Sequence, residues 1–527
     1  MYIIKTTVNA AQPGQPFTHN FSSCVGAGRA CEGLRADWQQ QLRRAVQDCG
    51  FRYIRFHGLL TDDMHVVWRN DAGELCYSWQ YIDSLFDFLL SIRIRPFVEF
   101  GFCPAELASG TQTQFWWQGR VDPPADLRQW ADLLAALCRH WLERYGPEEV
   151  RKWYFEIWNE ADLHAFWNGT RSQYFALYKA SVQAIKGVDT ALRVGGPATS
   201  NFVPDSRFDG ETEDITAQKT AFVDDIDALP WHGVWVREFL DYCAQNHLPV
   251  DFVSAHPYPT DWALDGYGNT CKRTRKRESL REDVAWLRRV IAESAYPDAE
   301  LWLTEWSSSP SSRDCSHDEL PAACYVADAA TSVNGQVNGL SYWTFSDIFE
   351  ELGGGHDAYH GGFGLVNFNG IPKPTYHVYR MLHRLGNRLL AQGTDFLATA
   401  QGDSLRLMAW NYPPEYKKAV EMCAYPDHAA ARAVLQHGTA GLLELQLSGL
   451  QPHATLTVET LDADHGDAMT LWHAMGCPGN LTVEQTKQLR TCAEACAVTT
   501  LQADENGCLH TTLPLAPWAV VFVHGTT

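Results

Sequence analysis

Positive charge is scarce in this chain. Over 527 residues, 42 Lys and Arg stand against 63 Asp and Glu, a formal net charge of −21. A surface of that sign repels phosphate backbones and anionic lipid, so nucleic acid and membrane are excluded as main partners and a neutral solute is favoured. Metal-binding patterns are missing as well. The fifteen cysteines, an odd number, contain no CxxC and no His–Cys ligand spacing, so neither a metal nor a cofactor is expected. A dinucleotide fingerprint is lacking: Gly26-Ala-Gly28 is only a fragment of GxGxxG. Met1-Tyr-Ile-Ile-Lys5 runs directly into polar residues, so no signal-peptide core and no spanning segment is read there. The expectation is a cytoplasmic protein with reduced thiols. Asn480-Leu481-Thr482 fits a glycosylation sequon and is then a chance match.

Apolar residues are plentiful at 45%, with 20% charged, the balance of a globular protein rather than a disordered one. The length calls for one large domain and a second module. Twenty Trp and twenty Tyr exceed what a core of this size needs. Such rings serve as stacking floors for sugars, and also as ordinary core and interface material.

Up to about residue 385 the chain alternates short β-branched or aromatic runs with amphipathic stretches. The runs are Phe17–Ser22, Phe51–His57, Arg95–Gly101, Lys152–Trp158, Leu192–Pro197, Asp251–Tyr258, Glu300–Trp306 and Gly339–Ser346. Helical patterns lie between them, and a last one, Pro374–Leu385, opens with proline in its first turn. Eight strands each followed by a helix predict an α/β protein, a (β/α)8 TIM barrel over residues 15–385. Beyond, Leu405–Asn411, Gly441–Leu447, Ala454–Thr460 and Trp518–His524 alternate in strand fashion. They predict an accessory antiparallel β-sandwich over 386–527, with which residues 1–14 pair.

Two connections on the side where barrel sites are built are long: Asn201–Pro230, which is acidic, and Thr260–Arg277, which ends in the basic run Lys272–Arg277. The run reads as a solvated loop, with a substrate carboxylate or a subunit contact as its functional alternatives. A homo-oligomer is therefore left open.

Barrel chemistry sits at the C-terminal ends of strands. There the second strand carries Arg55 and His57, the third Glu99, and the fourth Asn159 and Glu160. The sixth carries His256 and Tyr258, the seventh Glu305, and the eighth Trp343. Cleaving a glycosidic bond takes one protonated carboxyl and one carboxylate near the anomeric carbon, and Glu160 and Glu305 can face each other across the barrel mouth. Roughly 5–5.5 Å between them would mean retention of configuration. Asn159 suits a donor to the sugar 2-hydroxyl, whereas Glu99 reads as structural. The residues alone do not say which glutamate is the acid, and a non-catalytic sugar-binding barrel is the other class of reading.

Several stretches resemble glycoside hydrolase family 39, whose members include β-xylosidases and α-L-iduronidase. They are Lys152–Phe166, His256-Pro-Tyr258, Leu303-Thr-Glu-Trp306 and Ser341–Glu351, joined by Arg55–Gly58, Thr61–Met64, Arg95–Phe102, Leu107–Gln112, His360–Leu365 and Ile371–Pro374. The resemblance implies that Glu160 is the acid/base and Glu305 the nucleophile of a retaining exo-glycosidase. A β-xylosidase acting on short xylo-oligosaccharides is the leading expectation; an iduronidase-like or arabinose-releasing enzyme is the alternative. It further implies that Arg55 and His57 contact hydroxyls or hold the carboxylates, and that His256 and Tyr258 flank Glu305. Trp343 would be the stacking floor, Glu350 or Glu351 would bind distal hydroxyls, and Phe115 and Trp117 would wall the entrance. Ala161-Asp162 stand where the family commonly has Pro-Asn, which bears on the leaving-group side.

Overall fold

The computed structural model describes residues 2–200, 231–261, 273–414, 420–421 and 428–526. Eight parallel strands close into a barrel: β1 (Cys24–Arg29), β2 (Tyr53–His57), β3 (Arg95–Phe100), β4 (Tyr154–Ile157), β5 (Arg193–Thr199), β6 (Phe252–Ala255), β7 (Glu300–Trp306) and β8 (Gly339–Tyr342). Around it lie α1 (Ala36–Cys49), α2 (Gln80–Ser91), α3 (Leu127–Tyr145), α4 (Arg171–Val188), α5 (Val236–Gln245), α6 (Ser279–Glu293), α7 (Leu320–Ser332) and α8 (Pro374–His383). Local signals set the helix ends. Thr170 and Gln173 form a capping box at the start of α4, and Gly50, at φ 73°, closes α1 in the left-handed region.

The first strand departs from expectation. Phe17–Ser22 is not a strand; Asn20–Ser22 forms a short 3-10 turn, and the barrel begins at Cys24. β1 contains Gly26 and Gly28, which weaken any strand signal. Both are needed for close approach: a Cβ on Gly26 would lie 2.4 Å from Trp343 Cε3, and one on Gly28 2.5 Å from Glu32 Oε2.

Strand side chains alternate in direction, so inward residues stack in layers two positions apart. The lower layer is aromatic, Phe97, Tyr154, Phe252 and Trp302 beside Cys24, with Tyr154 and Trp302 centroids 4.6 Å apart. Directly above, two residues further along, come Glu99, Glu156, Ser254 and Thr304, all buried. An apolar plug thus underlies a polar floor. Most barrel strands are too short for more, and the chemistry lies at and just beyond their ends.

The accessory region has two sheets. Tyr2–Asn9 pairs in parallel with Gly441–Ser448, which pairs with Leu509–Leu515. A seven-stranded sheet runs from Gln15–Pro16 through Arg388–Gln392, Phe396–Gln401, Ser404–Trp410, Val520–Thr526 and Thr455–Leu461 to Ala497–Gln502. Its inner face and the smaller sheet enclose a second core of Leu, Val and Ala side chains. Helices at His428–Gln436, Met469–Ala474 and Val483–Glu494 interrupt the strands, which the alternation did not suggest. Thr482 of the sequon caps the last of these, accepting from the Gln485 amide at 3.2 Å.

The connection 201–230 lies outside the described residues, as does 262–272. The end of the basic run is not a solvated loop. Arg275 is buried in a two-bond pair with Asp283, at 2.8 and 3.0 Å. Buried Arg277 holds Asp328 of α7 and, at 2.6 Å, Asp395 of the accessory region, so it ties the two modules together. Lys276 pairs with Glu282.

Candidate active site

Arg55 organises the mouth of the barrel. It is fully buried, and each end of its guanidinium is used: Nε to Glu156 at 2.6 Å, Nη1 to Glu305 at 2.6 Å, Nη2 to Asn159 Oδ1 at 2.8 Å and to Glu99 at 3.1 Å. A planar fork with five N–H donors suits such a cluster of acceptors. Since Arg55 only donates, Asn159 must present its oxygen there, which leaves its amide NH2 as a donor. Tyr258 donates its hydroxyl to the other oxygen of Glu305 at 3.1 Å. Glu305 is therefore gripped from two sides while 5% of its surface stays open.

Its position depends on a local irregularity. In β7 the pairing with β8 shifts between Leu303 and Trp306. A bulge of this kind re-aims a side chain. Strict alternation would send Thr304 and Glu305 to opposite faces, yet Thr304 donates to Glu156 at 2.8 Å and Glu305 meets Arg55. Both point into the barrel.

Glu160 follows β4 on a backbone turned into the left-handed region, with Trp158 at φ 71° and Glu160 at φ 45°. Non-glycine residues there store strain, a feature concentrated at functional sites. The turn is held by the Glu160 amide donating to Ala198 O at 2.9 Å and by the Trp158 indole donating to Phe166 O at 2.8 Å. Burial pushes the Glu160 carboxyl up to about 7, against smaller opposing effects of Ser200, His57 and Arg55. His256 Nδ1 lies 2.8 Å from Glu160 Oε1, and burial lowers its imidazole to about 4. One oxygen each from Glu160 and Glu305, with a His256 nitrogen, lie within 4.8 Å of one another. Among the described residues this is the one group compact enough to grip an ion. Arg55 already supplies a positive charge to it, so the arrangement reads as carboxyl chemistry.

Around this pair the other expected residues assemble. His57 Nδ1 bonds Glu99 at 2.6 Å, and its Nε2 lies 3.6 Å from Glu305. Burial opposes charge on His57, but Glu99 outweighs it and the pKa is raised; Glu99 is lowered in return by His57 and Arg55 despite its burial. Trp343 lies beneath, its ring 4.8 Å from that of His57, and packs on Phe349 and Phe363. Phe115 stacks near His57 at 6.2 Å and leans on Trp117 and Phe166, forming one wall. The two acids after β8 separate. Glu350 turns away into ion pairs with Arg29 at 2.6 Å and Arg35 at 3.2 Å, so it is not a hydroxyl acceptor. Glu351 faces the carboxyl pair, and burial, with Glu305 and Glu160 adding to it, lifts its pKa to about 8.

Glu156 and Thr304 were not expected in the site. Their signal in the sequence is a carboxylate and a hydroxyl just before the strand-end groups Asn159-Glu160 and Glu305, at inward parity. Trp116, between the expected wall residues Phe115 and Trp117, is 65% exposed beside the entrance, its amide donating to Glu351 O at 2.8 Å.

Residues 4–510 match the profile described as Glycosyl hydrolases family 39. The chain is 36% identical to a "Beta-xylosidase" from Caldicellulosiruptor saccharolyticus over 504 residues, 93% of this chain and 92% of that one. It is 33% identical to a "Beta-xylosidase" from Geobacillus stearothermophilus, covering 98% and 94%. The structure superposes on that of "the GH39 enzyme from Xanthomonas axonopodis pv. citri" with a TM-score of 0.85 and 32% identity, over 100% of this chain and 98% of the other.

Proposed function

The chain belongs to glycosyl hydrolases family 39 and is a glycoside hydrolase, and from that premise we propose a retaining exo-β-xylosidase that releases xylose from the non-reducing ends of short xylo-oligosaccharides. The observation that carries the stereochemical part is the approach of Glu160 and Glu305 to within 4.8 Å, oxygen to oxygen. So close an approach suits a retaining pair, whose carboxyl groups stand about 5–5.5 Å apart, better than an inverting one at about 6.5–9.5 Å.

In this reading Glu305, held by Arg55 and Tyr258, attacks the anomeric carbon while Glu160 gives its proton to the leaving oxygen. The glycosyl-enzyme ester then breaks as the Glu160 carboxylate takes a proton from the incoming water. The free amide NH2 of Asn159 bonds the 2-hydroxyl, and Trp343 floors the sugar. A neutral pentose is favoured over a uronate: the cations of Arg275 and Arg277 are spent on Asp283, Asp328 and Asp395. The proposal includes a cytoplasmic enzyme working on imported oligomers, supported by free thiols at all thirteen described cysteines.

Hydrolysis of aryl β-xyloside, aryl arabinosides and aryl iduronide, with the first-formed anomer followed by NMR, tests the reading. β-Xylose as the initial product is expected. No turnover of the xyloside rejects the sugar assignment, and α-xylose as first product rejects retention.

A further inference from the structure

A chain of four side chains crosses the barrel floor from β4 to Glu160. Glu156 accepts from Arg55 Nε at 2.6 Å on one oxygen and from the Thr304 hydroxyl at 2.8 Å on the other. Thr304 Oγ1 lies 3.0 Å from His256 Nε2, and His256 Nδ1 lies 2.8 Å from Glu160 Oε1. Glu156, Thr304 and His256 are 0% exposed, so water does not substitute for any of these partners.

The donors can be followed along it. Thr304 has one hydroxyl hydrogen, and it points at the Glu156 carboxylate. What faces His256 is then a lone pair, so the hydrogen in that contact sits on Nε2. Burial keeps the imidazole neutral, which leaves one ring hydrogen and a bare Nδ1. A hydrogen bond at 2.8 Å between bare Nδ1 and Glu160 takes its hydrogen from Glu160.

We propose that Thr304 and His256 are positioning residues that keep the catalytic proton on Glu160: the hydroxyl fixes the ring tautomer, and the ring's bare Nδ1 accepts from the acid. The proposal rests on the reading of Glu160 as the acid and adds how its proton is held there. It also explains why His256, whose Nδ1 is 3.9 Å from Glu305, leaves the nucleophile alone: a bare nitrogen donates nothing to it. Both side chains are 0% exposed, so they act through Glu160 rather than on a solute in the mouth. Other groups face Glu160 and His256: Ser200 after β5, Arg55 and His57 on β2, Glu99 on β3, Glu156 on β4, Glu305 on β7, and Tyr258 and Glu351 from the rim. Thr304, which carries no charge and bonds the ring directly, is the position whose replacement moves the proton with little other disturbance.

Replacing Thr304 by Val frees the ring to carry its hydrogen on Nδ1 and donate to the Glu160 carboxylate, which lowers the acid's pKa. The basic limb of kcat/KM is expected to move down by about one pH unit, with about a fivefold loss at pH 7. The loss should be confined to aryl xylosides whose leaving group needs a proton. Thr304→Ser should restore the wild-type profile. An unchanged limb in Thr304→Val, or a serine variant that behaves like the valine one, overturns the proposal. Nitrogen-15 NMR of labelled wild-type protein gives a measurement independent of whether the variants fold: His256 should show a protonated Nε2 and a bare Nδ1, and the reverse tautomer is fatal. Azide rescue of Glu160→Ala separates the two levels. Absent rescue removes the acid reading and this proposal with it, whereas rescue with a reversed tautomer removes only the proposal.

Discussion

At the scale of residues, the two glutamates differ in what surrounds them more than in what they are. Glu160 is buried beside a neutral histidine and rises to about 7, whereas Glu305 sits 2.6 Å from a guanidinium. Activity should fall as pH rises through about 7, because the acid then loses its proton before substrate arrives; a kcat/KM profile checks this, and a basic limb several units higher counts against Glu160 as the acid. Glu305→Gln should lower kcat by about 10⁴-fold or more, since the amide left in its place cannot form the ester. Glu160→Ala should spare dinitrophenyl xyloside far better than an alkyl xyloside, measured as a ratio of kcat/KM values. Equal losses on both substrates would contradict a proton donor. These two acids and their neighbours Asn159, His256 and Tyr258 were legible in the sequence because they stand at strand ends. Glu156, one position inside the end of β4, and Thr304, legible only as the neighbour of Glu305, were not marked, because inward parity alone does not tell a hydrogen-bonded floor from a mispairing.

At the scale of elements, short irregular segments aim these groups. The β7 bulge turns Glu305 inward, and the left-handed turn after β4 brings Glu160 over the same opening. β1 contributes by what it lacks. Its glycine at 26 makes room for Trp343, and Gly26→Ala would place a methyl 2.4 Å from Trp343 Cε3 and 3.2 Å from Tyr342 O. Overpacking of this kind costs about 1–3 kcal/mol. The displaced ring should raise KM for aryl xyloside by roughly tenfold, which corresponds to about 1.4 kcal/mol. Steady-state kinetics beside urea denaturation would show both; an unchanged KM would mean that Trp343 is not the sugar's floor. The same glycine explains the misplaced first strand: the aromatic residues of Phe17–Ser22 imitate a strand that β1 does not advertise.

At the scale of the whole molecule, Arg277 joins α7 to the accessory region through Asp328 and Asp395, and Trp410 donates to Asp328 at 3.1 Å. Removing one partner of a buried ionic cluster leaves the others uncompensated, at about 3–5 kcal/mol. Arg277→Ala should lower the urea midpoint accordingly while kcat at 25 °C stays near wild type. A large loss of kcat without loss of stability would place the basic run in the site after all. Stability should also respond to alkali. Glu32 and Glu351 are raised to about 8 and Glu160 to about 7, all first by burial. For acids raised above their unfolded values, the stabilisation is complete below about pH 4.5 and is lost as pH climbs through the folded values. The paired carboxyls Glu99 and Asp318 are lowered, so their contribution disappears instead in acid. Thermal melts should therefore show Tm falling between about pH 6 and 9; a Tm that rises over that span contradicts the buried acids.

The sequence by itself determined the barrel, seven of its eight strands and the two catalytic candidates, because hydrophobic periodicity and strand-end position are local properties read without coordinates. It also marked Arg55 and Glu99, but not that they share one cluster with Glu156. Tertiary structure alone decided three matters: that Glu350 turns away while Glu351 turns in, that Arg275 and Arg277 are locked in buried pairs, and that Thr304 stands between Glu156 and His256. Each depends on which of several compatible partners comes within 3 Å or so, and such distances are set by how strands from distant parts of the chain close on one another.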